Sequence, residues 1–388
     1  MIRLQPFQIA YICINKEIMR KIFFVLFLSL LTSCSDDKKI DEPQITIGDN
    51  YDKKAMLTNW AENIIIPAYK NYQIGVDKLY EEVTVFKQNP TIDNLNKLRA
   101  SWLNSYKAYQ HIAFFKIGKA EDLYFIGHTN TYPVNVIEIN KNINTQTYNL
   151  TSLSQFDKQG YPALDYMLYG LADTDNALLM FYTGVDAQKY RTYLTDLVTD
   201  LKNNAELLVN DWNSFKNTFI SNTNNTNSGA VNLIVNAYIE YFEKHIRLGK
   251  VGYPAGKFSS GVQPNKVEAY FNKEVSKILL NEAIKASADF FNGKYFSSNQ
   301  TGPSLKSYLD HLNVQRNNKL LSTIINDQFS LIQIKNNLLD NNFVNQINTD
   351  NNKMLEAYDA MQINVSYFKV DMLTALNIAV GYVDSDGD

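Results

Sequence analysis

The chain has 388 residues, with 37 Lys and Arg, 40 Asp and Glu, and 2 Cys. Four of the cations and one of the acids fall within residues 1–33, so 33 basic and 39 acidic residues follow, a net charge of −6. This acidic balance argues against nucleic acid and anionic lipid surfaces as partners. The cysteine count excludes a disulfide framework, zinc-finger spacings and a Cys nucleophile.

The first predicted element is a lipoprotein signal. The cation pair Arg20-Lys21 precedes the apolar run 22–31, and Cys34 follows two small residues. This order is typical of a secretory signal that is too short to span a membrane. Because Leu31 and Cys34 fit the lipobox, we expect residues 1–33 to be removed and Cys34 to be lipidated. The alternative is a chance Cys after an ordinary signal. The signal predicts an outer-membrane lipoprotein of the cell envelope, facing the periplasm or the cell surface and joined to the membrane through Cys34.

Residues 34–50 are predicted to form a tether between the membrane and the folded protein. They are polar, contain Pro43 and show no apolar period. About 340 residues follow, which is enough for two ordinary domains.

Helical stripes dominate residues 51–220. Apolar side chains recur three and four residues apart, which indicates amphipathic helices buried on one side. The three stripes run over residues 69–86, 95–113 and 190–219. Pro90 separates the first two, so their short connection predicts antiparallel neighbours. Asp186 is the predicted N-cap of the third.

The polar run 221–229 is the predicted boundary between two halves, because Ser, Asn, Thr and Gly favour turns. Further helices are predicted near residues 230–247, 273–291, 304–314, 319–339 and 352–376. No run alternates for long enough to form a multi-stranded sheet. The predicted fold is therefore all-α, with one helical bundle over residues 51–220 and a second over 229–388.

Two stretches lack a regular helical pattern, and we expect the chemistry there. The first, from Gly118 to Tyr161, is predicted to be mostly irregular chain, which in a compact domain is usually a functional loop. The second, residues 248–256, is rich in glycine and lies beside Arg247 and Lys250. Such a loop offers backbone amides and cations to an anion, unless it is only a wide bend that joins two helices.

The segment from Gly160 to Gly170 resembles a known family. Its Gly160-Tyr161-Pro162 start, with Asp165 following, is similar to the GxHxxE segment of imelysin-like proteins, the imelysin metallopeptidase family. Further blocks that resemble the family, in the same order, are Trp102-x3-Tyr106, Arg247 to Gly252, Val267 to Phe271, and Leu373 to Asp388.

The resemblance implies an extracytoplasmic protein of two helical bundles with a cleft between them, linked in many bacteria to iron acquisition. It implies iron or haem as a ligand and outer-membrane iron-uptake proteins as partners. Some members are described as metallopeptidases. In this chain, however, Pro162 stands where the motif has His, and Asp165 stands where it has Glu. A proline ring offers no lone pair to a metal, so we expect no catalytic residues at this motif.

The candidate ligand-binding residues of the cleft are Gly160, Tyr161, Pro162, Asp165, Tyr166, Arg247, Lys250, Glu268 and His128. Asp165 is a weak candidate metal ligand, or a carboxylate that caps or pairs within the cleft. Glu268 orients a bound cation or substrate amine, or forms a salt bridge with Lys250 or Arg247. His128 is of interest because it lies in the irregular stretch. The histidines at 111 and 245 lie in helical stretches and are interpreted as surface or core residues.

Three functions remain open. The chain is a binding lipoprotein of iron or haem acquisition, a metallopeptidase that uses Asp165 with ligands from elsewhere, or a structural module of the cell surface. Hydrolysis by a metal needs a Lewis-acid site with an open position, so loss of the motif His favours binding over catalysis. The long irregular stretch and the glycine-rich bend argue against a purely structural module.

Overall fold

A computed structural model describes residues 49–383 of the chain. The predicted signal, the lipidation site Cys34, most of the tether and residues 384–388 lie outside the described residues. Within the described part, no helix combines the length and apolar character that a membrane span requires.

The described residues fold almost entirely into helices, which we number in chain order. The helices of the first half, residues 51–220, are α1 (Lys53–Asn59), α2 (Ile66–Gln88), α3 (Ile92–Gln110), α4 (Lys119–Asp122), α5 (Phe125–Asn130), α6 (Val136–Thr145), α7 (Gly160–Asp165), α8 (Asp175–Thr183) and α9 (Ala187–Ser221). A π-helical turn, Trp60–Ile65, joins α1 to α2, and another, Tyr166–Gly170, continues α7.

The second half, residues 229–388, begins with α10 (Ala230–Glu240), which continues as a π-helix over Tyr241–Gly252. The helices that follow are α11 (Ser276–Phe291), α12 (Leu305–His311), α13 (Leu321–Asn337), α14 (Phe343–Ser366), and α15 (Leu373–Ala375) after a π-helical turn Tyr367–Met372. One small antiparallel pair, β1 (Gln315–Arg316) with β2 (Lys319–Leu320), precedes α13. The predicted all-α fold is confirmed.

The amphipathic stripes of the first half form its core. All six predicted stripe positions of α2 are buried: Tyr69, Tyr72, Val76, Leu79, Val83 and Phe86. Each such burial stabilises the fold by about 1.5–3 kcal/mol for a large apolar side chain. Helix α2 packs against both α3 and α9. Asp186 does occupy the N-cap position of α9, but its side chain pairs with Lys189 at 3.0 Å and makes no capping hydrogen bond.

One hydrophobic core runs through both halves. In the second half, α14 packs against α13 and against the π-helix 241–252, while α11 packs against α3 of the first half. Aromatic rings fill this junction, with Phe114 lying 5.7 Å from Tyr238 and 5.3 Å from Phe290 between ring centroids. The described residues, 49–383, cluster as one compact unit. The division into separate domains at residues 221–229 stays a prediction.

The two stretches predicted to be irregular are more helical than expected. Residues 118–161 contain α4, α5, α6 and a 3₁₀-helix, Leu153–Lys158. Two short sequence features indicate α6. Asn135 is its N-cap, and its side chain accepts the Glu138 N–H at 3.2 Å; the buried Ile139 and Ile143 are four residues apart, which places them on one face of the helix.

The prediction of a glycine-rich loop at residues 248–256 is wrong up to Gly252. The π-helix runs through Gly249 and Gly252, so their backbone amides lie within a helix and not in an anion-binding loop. The glycines serve close packing. A Cβ on Gly252 would lie 2.8 Å from the ring of Tyr358, and a Cβ on Gly249 would lie 3.2 Å from the hydroxyl of Tyr132.

Candidate functional site

Gly160 begins the motif segment at a point where two backbones meet. Its φ is +72°, and a Cβ there would overlap the carbonyl oxygen of Thr129. Only glycine fits both the left-handed conformation and the close approach. Beside it, the Gln159 amide nitrogen lies 2.7 Å from Nδ1 of His128, which is buried against Phe156. Burial lowers the pKa of His128, so its neutral ring packs at this junction.

Tyr161 and Pro162 face the interior of the first half. The ring of Tyr161 stacks on that of Tyr106 with centroids 4.4 Å apart, and its carbonyl accepts a hydrogen bond from the Trp102 indole at 3.2 Å. Pro162 is buried in the first turn of α7, where a proline is tolerated because the N–H would have no helical partner. Both side chains are buried within the first half.

Asp165 clamps the second half to the first. Its Oδ2 accepts the Phe271 N–H at 2.8 Å, and its Oδ1 accepts the Asn272 N–H at 2.9 Å. Burial raises the pKa of Asp165 to about 7, and the two amide bonds oppose that rise. Tyr166 supports the same contact, since its ring lies 5.1 Å from Phe271 and its hydroxyl donates to Asn140 at 3.2 Å.

These contacts test whether the motif fits the metal site that the resemblance implies. Pro162 provides no ligand atom, and both oxygens of Asp165 accept backbone amides. Among residues 49–383, no group of three His, Cys, Asp or Glu side chains is arranged to hold a metal ion. The residues at the motif therefore do not fit the metal.

Glu268 lies at the centre of a buried polar cluster. Its Oε1 accepts the Asn130 amide at 2.8 Å and lies 3.0 Å from the Tyr106 hydroxyl, while Oε2 pairs with Lys250. Both Glu268 and Lys250 are 1% exposed. Desolvation lowers the pKa of Lys250, and the Glu268 charge opposes that effect. The next residue, Ala269, is held at a φ of +56°, a strained conformation for a residue with a Cβ.

Arg247 belongs to a different cluster. Its guanidinium lies 3.4 Å from Glu243 and 5.3 Å from the ring centre of Tyr358. Of the two pairings that the sequence leaves open for Glu268, the structure contains the one with Lys250. The structure therefore brings Lys250 and Glu268 together. Asp165 binds the amides of residues 271 and 272, which follow Glu268 in the chain, and Arg247 lies in a separate cluster.

A cavity of about 800 Å³ opens between the two halves, and its walls come from residues 116–156 and 237–266. The lining is Lys116, Ala120, Glu121, Asp122, Tyr124, Phe125, Ile126, Gly127, Asn130, Thr131, Tyr132, Phe156, Ala237, Glu240, Tyr241, Lys244, His245, Gly249, Tyr253 and Lys266. None of the candidate residues predicted from the sequence is in this lining. Asn130 connects the two sites, because it lines the cavity and also donates to Glu268.

The inner wall of the cavity carries polar groups on the π-helix. Tyr241 is 2% exposed, and its hydroxyl has no hydrogen-bond partner within the described residues. Its ring stacks on His245 at 5.1 Å. Burial, together with the nearby lysines, lowers the pKa of His245 to about 4, so the imidazole is neutral at pH 7. This wall was missed from sequence because its residues follow an ordinary helical pattern.

The chain is similar to known proteins in both sequence and fold. The Imelysin family model, a peptidase family, matches residues 65–364. No curated protein matches the chain. Two solved structures share the fold. An imelysin-like protein from Psychrobacter arcticum 273-4 has a TM-score of 0.67 and 17% identity, over 85% of this chain and 97% of its own.

The second structure is from Parabacteroides distasonis ATCC 8503 and is provisionally named iron-regulated protein A precursor. It has a TM-score of 0.69 and 13% identity, again over 85% of this chain and 97% of its own. At these identities the two structures support the fold alone. The family match, which covers most of the described residues, shows that the chain belongs to the imelysin family.

Proposed function

We propose that this protein is a cell-envelope lipoprotein that binds a ligand in iron acquisition and does not catalyse hydrolysis. The lipobox at Cys34 supports the location, and the family match supports the class. The name of the P. distasonis protein, which shares the fold, supports the link to iron. Iron or haem is the ligand expected from the family resemblance, and outer-membrane iron-uptake proteins are the expected partners.

The observation that carries the non-catalytic role is the geometry of Asp165. A hydrolytic metal needs side-chain ligands and an open coordination position. Here the carboxylate holds two backbone amides of residues 271 and 272 at 2.8 and 2.9 Å. Pro162, which stands at the His position of the motif, has no side-chain lone pair to offer. The cavity between the two halves, at about 800 Å³, has the size of a small-molecule site.

Metal content and proteolysis test the absence of catalysis. The protein without residues 1–33 is purified, its zinc is measured by elemental analysis, and cleavage of an unfolded protein substrate is followed with and without added zinc. We expect no stoichiometric zinc and no metal-dependent cleavage. The variant Pro162→His/Asp165→Glu, which rebuilds the motif, is the matched comparison. One zinc per chain in the natural protein, lost in Asp165→Asn, would overturn the proposal.

Expression and localisation test the physiological role. We expect the protein level to rise when cells are starved of iron, and Cys34→Ala to release the protein from the membrane fraction. A flat response to iron starvation would contradict the role in iron acquisition. Membrane retention of the Cys34→Ala variant would contradict lipidation at that residue.

A further inference from the structure

The cavity is lined by aromatic rings on both sides. Six of its lining residues are Phe or Tyr: Tyr124, Phe125, Tyr132, Phe156, Tyr241 and Tyr253. Two of these rings are open to solvent, since Tyr124 is 61% exposed and Tyr253 is 41% exposed. Such a lining favours a flat apolar ligand, because ring faces supply large contact areas.

Tyr124 is held in a strained conformation at this cavity. Its φ of 48° is in the left-handed region, which a bulky side chain adopts at a cost of about 1–3 kcal/mol. Backbone strain tends to persist at ligand sites, so the strain at Tyr124 supports a ligand in this cavity independently of the volume of the cavity.

The buried hydroxyl of Tyr241 is an unsatisfied polar group among the described residues. It lies in the cavity wall, is 2% exposed as a residue, and makes no hydrogen bond within the described part of the chain. A buried hydroxyl without a partner costs about 1–3 kcal/mol. A shift of the surrounding side chains that exposes the hydroxyl to the cavity lets a ligand atom accept its hydrogen bond and removes that cost.

Two lysines of the cavity lining, one from each wall, share a single acid. Lys116 and Lys244 both pair with Glu240, at 3.0 and 2.9 Å. Each ammonium has three donors, so the two lysines retain donors for a further acceptor. A third cation, Lys266, lies over the ring of Tyr253 at 5.5 Å.

The remaining acids of the lining are Glu121 and Asp122, which lie on α4 in the same wall as Lys116. Asp122 pairs with Lys119 at 3.1 Å, and Glu121 is exposed on the same short helix. His245, between the lysines, is neutral at pH 7 and adds no charge. The charge around Glu240, where two lysines share one carboxylate, therefore favours an anion.

We propose that the cavity binds a planar aromatic anion, with its rings between the aromatic walls and its anionic group at Lys116, Lys244 and the Tyr241 hydroxyl. This inference rests on the proposed function only in that the cavity holds a ligand. The shared chemistry fits both a free organic anion and a metalloporphyrin with carboxylate side chains.

Two dyes that differ in charge alone test the ligand class. 8-Anilinonaphthalene-1-sulfonate carries a sulfonate, and N-phenyl-1-naphthylamine has the same ring system without it. We expect one molecule of the sulfonate to bind per chain, with an affinity that falls as salt increases, while the affinity of the neutral dye stays constant. The salt comparison uses the natural protein and so needs no folded variant.

Substitutions of cavity residues test whether the dyes bind in the cavity. In Lys116→Ala/Lys244→Ala, we expect the affinity for the sulfonate to fall about tenfold or more, with less than about a twofold change for the neutral dye. Tyr124→Ala should weaken both dyes, since it removes a ring face. Lys97→Ala, which removes an exposed cation of α3 outside the cavity lining, is the matched control and should change neither.

Haemin and metal-free protoporphyrin distinguish the two sources of the anion. Binding of haemin with a shifted absorbance band that is lost in His245→Ala indicates a metalloporphyrin, whereas equal binding of both porphyrins indicates recognition of the flat anion alone. Failure of the sulfonate dye to bind, or equal loss of both dyes in the lysine variant, would overturn the proposed ligand class. Neither result bears on the response to iron starvation, so failure of the ligand class and failure of the proposed function are distinguishable.

Discussion

The motif segment 160–165 and the wall 241–245 satisfy their polar groups in opposite ways. In the motif segment, Asp165 uses both carboxylate oxygens to hold backbone amides of the second half. In the wall, the buried hydroxyl of Tyr241 has no hydrogen-bond partner within the described residues. A satisfied buried network rigidifies a fold, whereas an unsatisfied group next to a cavity is available to a ligand. The contrast gives Asp165 a structural role and leaves an unsatisfied buried group in the cavity wall.

Asn130 is where the two regions meet. It lines the cavity, and its amide donates to Glu268 in the buried cluster behind the wall. The segment that follows Glu268 is in turn held by Asp165 at residues 271 and 272. The stability of these hydrogen bonds therefore decides the shape of the cavity. Substitutions in the motif segment and in the wall separate the contribution of each region.

The largest expected effect is in the buried ion pair. Lys250→Met leaves the carboxylate of Glu268 without its cation in the interior, so we expect the free energy of unfolding to fall by about 3–5 kcal/mol. Urea denaturation measures the change. Lys257→Met is the control, because Lys257 pairs with Asp359 at an exposed site and should lose about 0–1 kcal/mol.

The double variant Lys250→Met/Glu268→Gln sharpens this test. Removing both charges should recover part of the loss, because no ion then remains buried. A loss of stability in the double variant as large as the sum of the two single losses would show that the pair is not coupled.

The second effect concerns the clamp, the two hydrogen bonds that Asp165 accepts from residues 271 and 272. Asp165→Ala leaves the partly buried N–H groups of Phe271 and Asn272 without the acceptors that hold them, so we expect a loss of about 2–3 kcal/mol. The measurement is made at pH 6, below the raised pKa of Asp165, where the carboxyl of the folded protein is mostly neutral and accepts through its carbonyl oxygen, so the cost of burying a charge does not offset the loss. Asp173→Ala, an exposed acid after the same segment, should change stability by less than about 0.5 kcal/mol. Equal effects of the two variants would rule out the clamp.

The sequence predicts the clamp poorly and the helices well, for physical reasons. Helix α2 was predictable because each of its stripe residues, from Tyr69 to Phe86, meets the core at the helical period. The partners of Asp165 are backbone amides 106 and 107 residues away, and a backbone N–H has no sequence signature. The sequence therefore left a capping carboxylate and a metal ligand as alternatives for Asp165, and the structure identifies the two amides that it holds.

The cavity was hidden for a different reason. Tyr241, Lys244 and His245 lie on a helical stretch, and their spacing is that of any packed helix. They form a wall only because residues 116–132 of the other half face them across the cavity. Long-range pairings of this kind are not encoded in local periodicity, although Tyr132 and Tyr253 do lie in the two stretches, 118–161 and 248–256, where the sequence predicts the chemistry.

The third effect is a dependence of stability on pH. Burial raises the pKa of Asp165 from 3.8 to about 7, so between these values the folded protein holds a proton that the unfolded chain has lost. Stability from this group therefore falls as pH rises from about 4 to about 7 and is constant above that range. Between pH 5 and pH 8 we expect the natural protein to lose about 2–3 kcal/mol relative to Asp165→Asn, which does not titrate.

Urea denaturation of both proteins at several pH values measures this difference. The comparison cancels the titration of all other groups, because both proteins contain them. Parallel stability curves for the two proteins would show that the carboxyl of Asp165 has an ordinary pKa and is not desolvated.

The smallest effect should be in the cavity wall. Tyr241→Phe removes a buried hydroxyl that has no partner within the described residues, so the ligand-free protein should keep its stability or gain up to about 1 kcal/mol. Tyr182→Phe is the matched control, because the equally buried hydroxyl of Tyr182 donates to the Met167 carbonyl at 2.7 Å. That variant should lose about 1–3 kcal/mol, since the carbonyl loses its donor.

The same pair of variants then distinguishes a residue of the cavity wall from a residue of the core in dye binding. Tyr241→Phe should weaken the sulfonate dye while leaving the neutral dye unchanged, because only the anion accepts the hydrogen bond of the phenol. Tyr182→Phe should affect neither dye, as Tyr182 lies outside the cavity lining. A stability loss in Tyr241→Phe equal to that in Tyr182→Phe would mean that the Tyr241 hydroxyl is already bonded in solution, and the contrast between the two regions would disappear.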